Sequence, residues 1–329
     1  MKNVLLITGP GGDAQGWGDM RVTECMRDAL NAGGFDTTIA WIETPADFDK
    51  ALAARNYDIV WSALYYITPR ADIIGLSEAG DVWVADLLDE RGVPYIGPSA
   101  QTMKNLIDKA TTHRILLEHG VYVPANKQVK IGAPMPEFTY PAFVKPCAES
   151  RSVGISDASV VHSPEELERQ VKYIHDNFKQ AALVEEYLPG QEYTVLALGS
   201  GERQEILPGM VSVNPSLYGK YRILRSDLRG VGVTKISIPI EHADEARRLA
   251  KTAVDALDCY DHVRIDMRVD ANDDLKIIEV NGIPGLKPLK SWSPQIYALY
   301  HPTADPNDGY RQMLCLIVQS ALERHGRAG

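Results

Sequence analysis

Short apolar runs alternate with amphipathic segments along the first hundred residues of the chain. The apolar runs, which are typical of buried strands, lie at residues 4–8, 37–42, 59–63 and 93–97. The amphipathic segments, which predict helices, lie at residues 19–32, 46–54 and 82–91. Because strands and helices in this order form parallel sheets, we predict an N-terminal domain of that kind over residues 1–98.

A second unit is predicted over residues 99–188, where the pattern changes. Predicted helices cover residues 101–119 and 164–178, and predicted strands cover residues 140–146 and 182–188. Ser163 precedes the second helix as an N-cap, and the glutamates that follow it suit the positive end of a helix dipole.

The third predicted unit takes up residues 189–329. Regular elements are predicted at residues 192–198 (strand), 241–257 (helix) and 309–325 (helix). Residues 213–230 carry no regular pattern, and long irregular segments inside compact domains often serve as lids. We therefore expect this segment to close over a site and to exclude water from it.

Two strand-like runs late in the chain carry the most informative polar residues. Residues 263–270 and 275–281 flank a short polar loop, which predicts an antiparallel hairpin. Side chains alternate across a strand, so Arg264 and Asp266 share one face. Glu279 and Asn281 share a face for the same reason. The opposite face is expected to hold Ile265, Met267, Ile277, Ile278 and Val280.

Pairing of these two strands would bring one cation and three oxygen ligands together. Asp266, Glu279 and Asn281 supply two carboxylates and an amide, which suit a Mg²⁺ ion that also holds substrate phosphates. Arg264 would lie beside the metal as a donor for an anionic oxygen. The alternative is an ordinary edge hairpin whose charged side chains are solvated.

Composition narrows the class of protein. The 329 residues are 45% hydrophobic and 24% charged, which is typical of a globular enzyme of more than one domain. The net charge of −10 argues against a general nucleic-acid binder. The four cysteines are widely spaced and favour reduced thiols, and we find no signal peptide or membrane-length apolar run. We expect a cytoplasmic protein that binds neither nucleic acid nor membranes.

Two segments are candidates for binding phosphate. The turn at residues 9–12 resembles a dinucleotide fingerprint without its third glycine, so it is either a phosphate loop or a turn that brings backbone close to another ligand. Lys145 ends a predicted strand before a loop of small residues, whose amides and Ser152 hydroxyl could surround phosphate oxygens. Lys109 could reach the same phosphates, although either lysine alone could equally be a solvated surface residue.

In their order and spacing these segments resemble the ATP-grasp superfamily, and most closely its D-alanine–D-alanine ligase family. The resemblance covers the chain from about residue 82 to residue 300. It rests on five features in this order. In the first half they are residues 92–100 followed by Asp108-Lys109, and residues 143–146 followed by 152–154. In the second half they are residues 184–195, residues 218–221, and the hairpin followed by Pro284-Gly285. It implies a three-domain α/β fold: a Rossmann-like N-terminal domain, a central lid subdomain and a C-terminal subdomain with the metal and substrate site.

The resemblance also implies roles for individual residues. Phosphates of ATP would contact Lys109, Lys145 and Ser152; adenine would contact Glu185, Tyr187 and Leu188; and the ribose would contact Glu192. Two Mg²⁺ ions, which Mn²⁺ could replace, would be held by Asp266, Glu279 and Asn281. The implied catalytic set is Arg264 at the oxyanion, Lys220 at the γ-phosphate, Tyr221 beside it on the mobile loop, and Arg151.

The substrate-binding half departs from the family pattern. Residues 64–70 replace the family's His-Gly-x-x-Gly-Glu-Asp-Gly segment, and Trp17 lies near the place of a missing glutamate. Arg151 replaces a serine that bonds the loop tyrosine, and Lys290 aligns near a carboxylate-binding serine. Residues expected to contact the substrates are Trp17, Tyr65, Arg151, Gly285, Lys290 and Ser291, although the aromatic ones could instead be core residues. We expect at least one substrate to be larger or to carry a carboxylate.

The sequence therefore predicts an ATP-dependent ligase that joins a carboxylate to an amine through an acyl phosphate and releases ADP and phosphate. Its substrates are expected to be amino acids or dipeptides other than D-alanine. D-alanine–D-alanine ligase activity is one alternative, and an inactive ATP-binding module is another, although the retained Arg264 argues against the module. A dehydrogenase is less consistent with the incomplete glycine fingerprint. The resemblance also implies a homodimer.

Overall fold

The computed structural model of the chain describes residues 1–69, 81–228 and 233–327. Its strands are β1 (Asn3–Thr8), β2 (Asp36–Trp41), β3 (Ile59–Ser62), β4 (Tyr66–Ile67), β5 (Val82–Trp83), β6 (Asn126–Val129), β7 (Ala142–Pro146), β8 (Val160–Val161), β9 (Ala182–Glu186), β10 (Glu192–Leu198), β11 (Glu205–Val213), β12 (Thr234–Ser237), β13 (His262–Val269) and β14 (Leu275–Asn281). Its helices are α1 (Gly12–Gln15), α2 (Met20–Ala32), α3 (Pro45–Ala53), α4 (Val84–Glu90), α5 (Ala100–Ile107), α6 (Lys109–Glu118), α7 (Pro164–Phe178), α8 (Ala243–Ala256), α9 (Trp292–Tyr300) and α10 (Pro306–Arg324). Arg70 and residues 229–230, which belong to predicted segments, lie outside the described residues.

The N-terminal part contains the parallel sheet that the alternating pattern predicts. Its strands lie in the order β2-β1-β3, and both pairings with β1 are parallel. Successive side chains of β1 point to opposite faces, so Leu6 packs in the core that includes α10, while Ile7 packs with Phe48 of α3. The sheet is thereby covered on both faces, as parallel sheets require.

Two predicted elements in this part are shorter than expected. Val82 and Trp83 do not begin a helix; they form β5, which pairs antiparallel with β4, and α4 follows from Val84. A β-branched and an aromatic residue favour a pleated strand, and here the pairing with β4 outweighs the helical spacing. The run at residues 93–97 forms only one parallel bridge, between Tyr95 and Val60.

The central part is an antiparallel sheet in the order β6-β9-β7-β8, with α7 packed against it. Helix α7 begins as predicted, because the Ser163 hydroxyl accepts a hydrogen bond from the Glu166 amide at 3.3 Å. Leu167 and Val171 of this helix pack on the buried side chains of Val144 and Val184. This packing holds the strand that ends at Lys145 in place.

The single helix predicted over residues 101–119 is wrong. Asp108 has an extended backbone, with φ −84° and ψ 100°, and separates α5 from α6. Its carboxylate accepts hydrogen bonds from the amides of Ala110 and Thr111, at 3.0 and 3.3 Å. Aspartate favours such N-caps over helix interiors because its side chain competes for backbone amides. The interruption makes Lys109 the first residue of α6 and directs it towards a cleft.

A five-stranded antiparallel sheet in the order β12-β11-β10-β13-β14 forms the C-terminal part. Helix α8 covers one face, where Leu249 packs with Ile265 and Ile277. Helix α9 covers the other face, where Ile296 packs with Ile236. Elements that the sequence did not predict include β11 and α9, whose apolar patterns are interrupted by Pro208-Gly209 and by Pro294.

The predicted hairpin is formed by β13 and β14, with one irregularity. Asp266 lies directly opposite Glu279, and Arg264 lies opposite Asn281. The register then shifts between Asp266 and Met267, and this bulge turns Ile278 towards the same cleft as Glu279. The prediction that Ile278 belongs to the core is therefore wrong, whereas the four other apolar residues of the hairpin are buried there as expected.

The predicted division of the chain at residues 98 and 188 stays a prediction. Across residues 1–69, 81–228 and 233–327, no helix combines the length and the apolar character needed to cross a membrane.

Candidate active site

A cleft of about 770 Å³ lies between side chains of the central sheet and of the C-terminal sheet. It brings together residues that the sequence analysis assigned to nucleotide binding: Lys109, Lys145, Ser152, Glu185, Tyr187, Leu188 and Glu192. Asp266 and Glu279 line the same cleft. Apolar walls with a few converging charged groups are typical of nucleotide and cofactor sites.

Two buried lysines are held at the base of the cleft by carboxylates. The Lys145 ammonium lies 2.7 Å from a carboxylate oxygen of Glu185, and the Lys109 ammonium lies 3.1 Å from Glu279. Burial raises the pKa of Glu185, and the neighbouring Lys145 charge opposes that rise. Cations buried to this degree interact strongly with any phosphate that enters.

His113 is buried next to the ion pair between Lys145 and Glu185, and its imidazole ring is neutral. One ring nitrogen is 3.5 Å from Glu185, and the other is 3.4 Å from the carbonyl oxygen of Ile278. Burial, together with the charge of Lys145, lowers the pKa of His113 to about 3. The contact with Glu185 is therefore not an ion pair at neutral pH, and Lys145 is the group that compensates this carboxylate.

Asp266 lies at the centre of a buried network on the hairpin. It accepts hydrogen bonds from Arg264 Nε and Nη2 at 2.9 and 2.8 Å, and from the Thr194 hydroxyl at 2.8 Å. The Asn281 amide lies 3.3 Å from its second oxygen. Asp266, Asn281 and the opposing Glu279 thus lie together at one end of the hairpin, as the predicted metal site requires.

This cluster fits a magnesium ion that keeps part of its coordination for water and phosphate. Two carboxylates and one amide leave positions open, which is how Mg²⁺ binds in sites that act on phosphates. Within the described ranges, no group of three or more His, Cys, Asp or Glu side chains is placed to hold a metal ion. Lys109 and Arg264 occupy the charge-compensating positions next to these carboxylates.

Arg264 lies between the cleft and a second cavity. Its guanidinium stacks over the Trp292 ring, with the central carbon 5.0 Å from the ring centroid. Burial lowers the pKa of Arg264, but the neighbouring carboxylates, that of Asp266 above all, together raise it by more, so the net shift is upward. The side chain therefore stays charged where it faces the second cavity.

The second cavity is a wide depression that opens to solvent, and the space in and above it amounts to about 1460 Å³. It brings together the residues expected to contact the substrates: Trp17, Tyr65, Arg151, Gly285, Lys290 and Ser291. Asn281 and Arg264 line it on the side of the predicted metal. The nucleotide cleft and this cavity thus meet at the hairpin, which is the arrangement needed to transfer a group between two bound molecules.

One loop contributes to both cavities. Glu149 and Ser152 line the nucleotide cleft, whereas Ser150 and Arg151 line the second cavity. Arg151 and Ser152 both adopt left-handed backbone, with φ of 58° and 59°, which turns their side chains in different directions. The Arg151 guanidinium lies 2.8 Å from the Asp13 carboxylate, so its charge is already compensated by the N-terminal part.

Comparison with known proteins identifies the family to which a chain with these two cavities belongs. The family model described as "D-ala D-ala ligase C-terminus" matches residues 115–298. The D-alanine–D-alanine ligase of Desulforudis audaxviator is 30% identical to the chain over 266 residues, which are 78% of this chain and 81% of that protein. The chain belongs to the D-alanine–D-alanine ligase family. Members of this family are ATP-grasp enzymes, ADP-forming amide ligases.

Two further similarities extend the comparison. The uncharacterised protein y4sG of Sinorhizobium fredii is 30% identical over 62% of this chain, and the alignment spans 61% of that protein. The crystal structure of D-alanine–D-alanine ligase from Bacillus anthracis complexed with ATP covers the whole of both chains, with a TM-score of 0.72 and 18% identity. This second likeness shows that the three-part ATP-grasp fold is retained along the full length.

Lys220 and Tyr221 lie outside both cavities of this ligase-family chain. The Lys220 amide donates a hydrogen bond to the Asp157 carboxylate at 2.8 Å, and the Tyr221 hydroxyl lies 2.6 Å from His162 Nε2. Both contacts attach the loop to the central part, and the Lys220 side chain is exposed. The expected contact of Lys220 with the γ-phosphate stays a prediction that requires the loop to move.

Asp157→Ala should free the loop that carries Lys220. A hydrogen bond of this kind contributes about 0.5–1.5 kcal/mol, so we expect hydrogen exchange of the segment 214–225 to accelerate by about two- to tenfold. Asp157 is partly exposed, so the lower end of that range applies. Asp176→Ala, on the exposed side of α7, is the control. Equal exchange in both variants would show that Asp157 does not anchor the loop.

Thr194 and Gln15 are among the residues that position the site and were missed in the sequence. Thr194 bonds Asp266, and it could have been found because it shares a strand face with Glu192. The Gln15 side chain accepts from the Tyr65 amide at 2.8 Å and donates to the Tyr66 carbonyl at 3.2 Å. No sequence pattern links residues so far apart, so Gln15 could be recognised only in three dimensions.

Proposed function

We propose that this protein joins a carboxylate to an amine in an ATP-dependent reaction, with amino acid or dipeptide substrates other than a pair of D-alanines. The observation that carries the proposal is the position of Arg264, between the nucleotide cleft and the second cavity. An amide ligase needs a fixed cation where an oxyanion forms, and a protein that only bound ATP would have no use for one there.

The proposed reaction has two chemical steps. An oxygen of the substrate carboxylate attacks the γ-phosphorus of ATP, ADP leaves, and an acyl phosphate is formed. The amine then attacks the acyl carbon, which gives a tetrahedral oxyanion next to Arg264, and phosphate leaves as the amide forms while the amine loses a proton. Magnesium would neutralise charge on the transferring phosphoryl group. Lys109 and Lys145 hold the phosphates in line, and water is excluded to protect the acyl phosphate.

The walls of the second cavity support a change of substrate. The aromatic side chains of Trp17, Tyr65 and Trp292 line it and suit a larger body than the methyl group of alanine. D-alanine–D-alanine ligation is the second candidate, because the Desulforudis relative carries that name. Rapid, saturable formation of D-alanyl-D-alanine from D-alanine alone would establish the second candidate and contradict the first.

The deciding experiment identifies the nucleotide product. The purified chain is incubated with Mg²⁺-ATP and with panels of D- and L-amino acids, added singly and in pairs. We expect ADP and phosphate only with particular combinations, and those combinations name the substrates. Release of AMP and pyrophosphate would show adenylation instead, and it would overturn the acyl-phosphate mechanism.

Glu279→Gln should raise the Mg²⁺ concentration needed for half-maximal ATP turnover by about ten- to a hundredfold. Glutamine keeps the shape of the side chain but removes the negative charge that both a metal and Lys109 would share. Asp274→Asn, in the exposed turn of the same hairpin, is the matched control and should leave the Mg²⁺ requirement unchanged. An unchanged requirement in Glu279→Gln would exclude Glu279 as a ligand.

A further inference from the structure

We infer that Trp292 is a positioning residue, whose indole ring sets the tilt of the Arg264 guanidinium towards the place where the oxyanion would form. The inference rests on the proposed function and adds to it a residue that acts through Arg264. The central carbon of the guanidinium lies 5.0 Å from the centroid of the Trp292 ring. Both residues are buried, with 7% of Arg264 and 8% of Trp292 exposed. Attraction between a cation and an aromatic ring is stronger at such a desolvated site than at an exposed one.

The ion pair with Asp266 fixes only part of the position of this guanidinium. Asp266 accepts hydrogen bonds from Nε and Nη2 of Arg264, so the two planar groups meet along one edge of the guanidinium. The opposite edge, which carries the two N–H groups of Nη1, can swing about that contact. A ring against the flat face of the guanidinium restricts the swing. An oxyanion donor is effective only when its direction is set in advance, so this restriction bears on the rate of reaction.

Trp292 is itself held in a fixed position relative to the strand that carries Arg264. It is the first residue of α9, and the hydroxyl of the next residue, Ser293, lies 3.1 Å from Nε2 of His262. His262 and Arg264 are two residues apart on β13, so they share a face of the sheet. Ile296, one turn further along α9, packs on the same sheet. The start of α9 is thus attached to the face from which Arg264 projects, and the ring stays in register with the guanidinium.

A direct contact between Trp292 and a substrate is the alternative to a role through Arg264, because Trp292 also lines the second cavity. The two roles affect different quantities. A contact with a bound substrate would change KM, and it would persist in a variant that lacks Arg264. Positioning changes kcat, and its effect disappears when the guanidinium is removed.

The first measurement needs no substrate. Protein labelled with ¹⁵N-arginine gives an NMR signal for the Nε proton of Arg264, which is assigned by its loss in Arg264→Lys, and the exchange of this proton with water is measured. We expect exchange to be about tenfold faster in Trp292→Leu and intermediate in Trp292→Phe, which keeps a smaller aromatic face and serves alone if the leucine variant does not fold. Tyr297→Leu, which removes a buried ring of the same helix that lines neither cavity, is the matched control. Exchange in both Trp292 variants equal to that of the control would overturn the inference and leave the ligase function standing.

The second measurement is a double-mutant cycle on amide formation, with the amino acids that yield ADP as substrates. We expect Trp292→Leu to lower kcat by about tenfold with KM nearly unchanged, and to have less than about a twofold effect when Arg264 is already alanine. Tyr297→Leu should have the same small effect in both backgrounds. A loss that is equally large without Arg264, or that falls on KM, would overturn the positioning role in favour of packing or of substrate contact. Absence of ADP with every amino acid would overturn the ligase function, and proton exchange would still decide whether the ring holds the guanidinium.

Discussion

Arg264→Ala is expected to lower the turnover number by about 10²–10³-fold and to leave ATP binding nearly unchanged. The reason for the first effect is that the guanidinium faces the cavity where the tetrahedral oxyanion would form. Removal of one oxyanion donor typically has an effect of this size. ATP binding is expected to stay nearly unchanged because Arg264 does not line the nucleotide cleft, although its ion-pair partner Asp266 does.

The measurement is single-turnover kinetics with saturating ATP, together with nucleotide affinity by calorimetry. Alanine also removes the partner of the buried Asp266, so the folded fraction must be determined by circular dichroism and the rate normalised to it. Arg264→Lys keeps the charge but loses the two-pronged contact, and it should recover only part of the rate. Arg248→Ala, on the exposed face of α8, is the control. A normalised turnover near that of the control would refute the role of Arg264.

The core of this site could be predicted because it depends on local periodicity. Arg264 and Asp266 are two residues apart on one strand, so they share a face. The short hairpin loop determines that the next strand, with Glu279 and Asn281, pairs beside them. The bulge after Asp266 could not be predicted, because nothing in the run of apolar residues distinguishes Ile277 from Ile278. Pairing energy across the whole sheet decides which of the two is buried.

The second cavity could not be assembled from pattern alone. Trp17, Tyr65 and Lys290 come from distant parts of the chain, and only the resemblance to a known family grouped them before their positions were known. The ion pair between Arg151 and Asp13 illustrates the limit, because it joins an irregular loop to helix α1, 138 residues away. Arg151, which is expected to contact a substrate, therefore already has a partner for its charge in Asp13.

Lys145→Met is expected to destabilise the protein by about 3–5 kcal/mol near neutral pH, which is the usual effect of removing one partner from a buried ion pair. Methionine fills similar space but leaves the Glu185 carboxylate without its cation in a fully buried position. Burial already raises the pKa of Glu185, and Lys145 is the main group that opposes this shift. In the variant the pKa of Glu185 should therefore rise further.

The sign of the pH dependence follows from this shift. A carboxyl group whose pKa is higher in the folded protein than in the unfolded chain binds more protons when folded, so its contribution to stability is full at low pH and is lost as the pH rises through the folded pKa. The difference in unfolding free energy between Lys145→Met and the wild type should accordingly be small at acidic pH and should grow towards neutral pH. The charge of Lys145 is also one of the causes that lower the pKa of His113. If the His113 ring becomes protonated in the variant, its charge offsets part of the lost stability.

Urea denaturation at several pH values measures both effects, and the double variant Lys145→Met with Glu185→Gln separates them. Glutamine removes the charge that lacks a partner, so the double variant should be more stable than Lys145→Met at neutral pH, and its stability should depend less on pH. Lys130→Met, at an exposed position in the central part, controls for the loss of one lysine. If the loss in Lys145→Met were independent of pH and were not relieved by Glu185→Gln, packing would be its cause and not the ion pair. The coupling free energy between the substitutions at Lys145 and Glu185 therefore decides whether the charge of Glu185 holds Lys145 in the nucleotide cleft. The proposed contact of Lys145 with phosphate requires that it is held there.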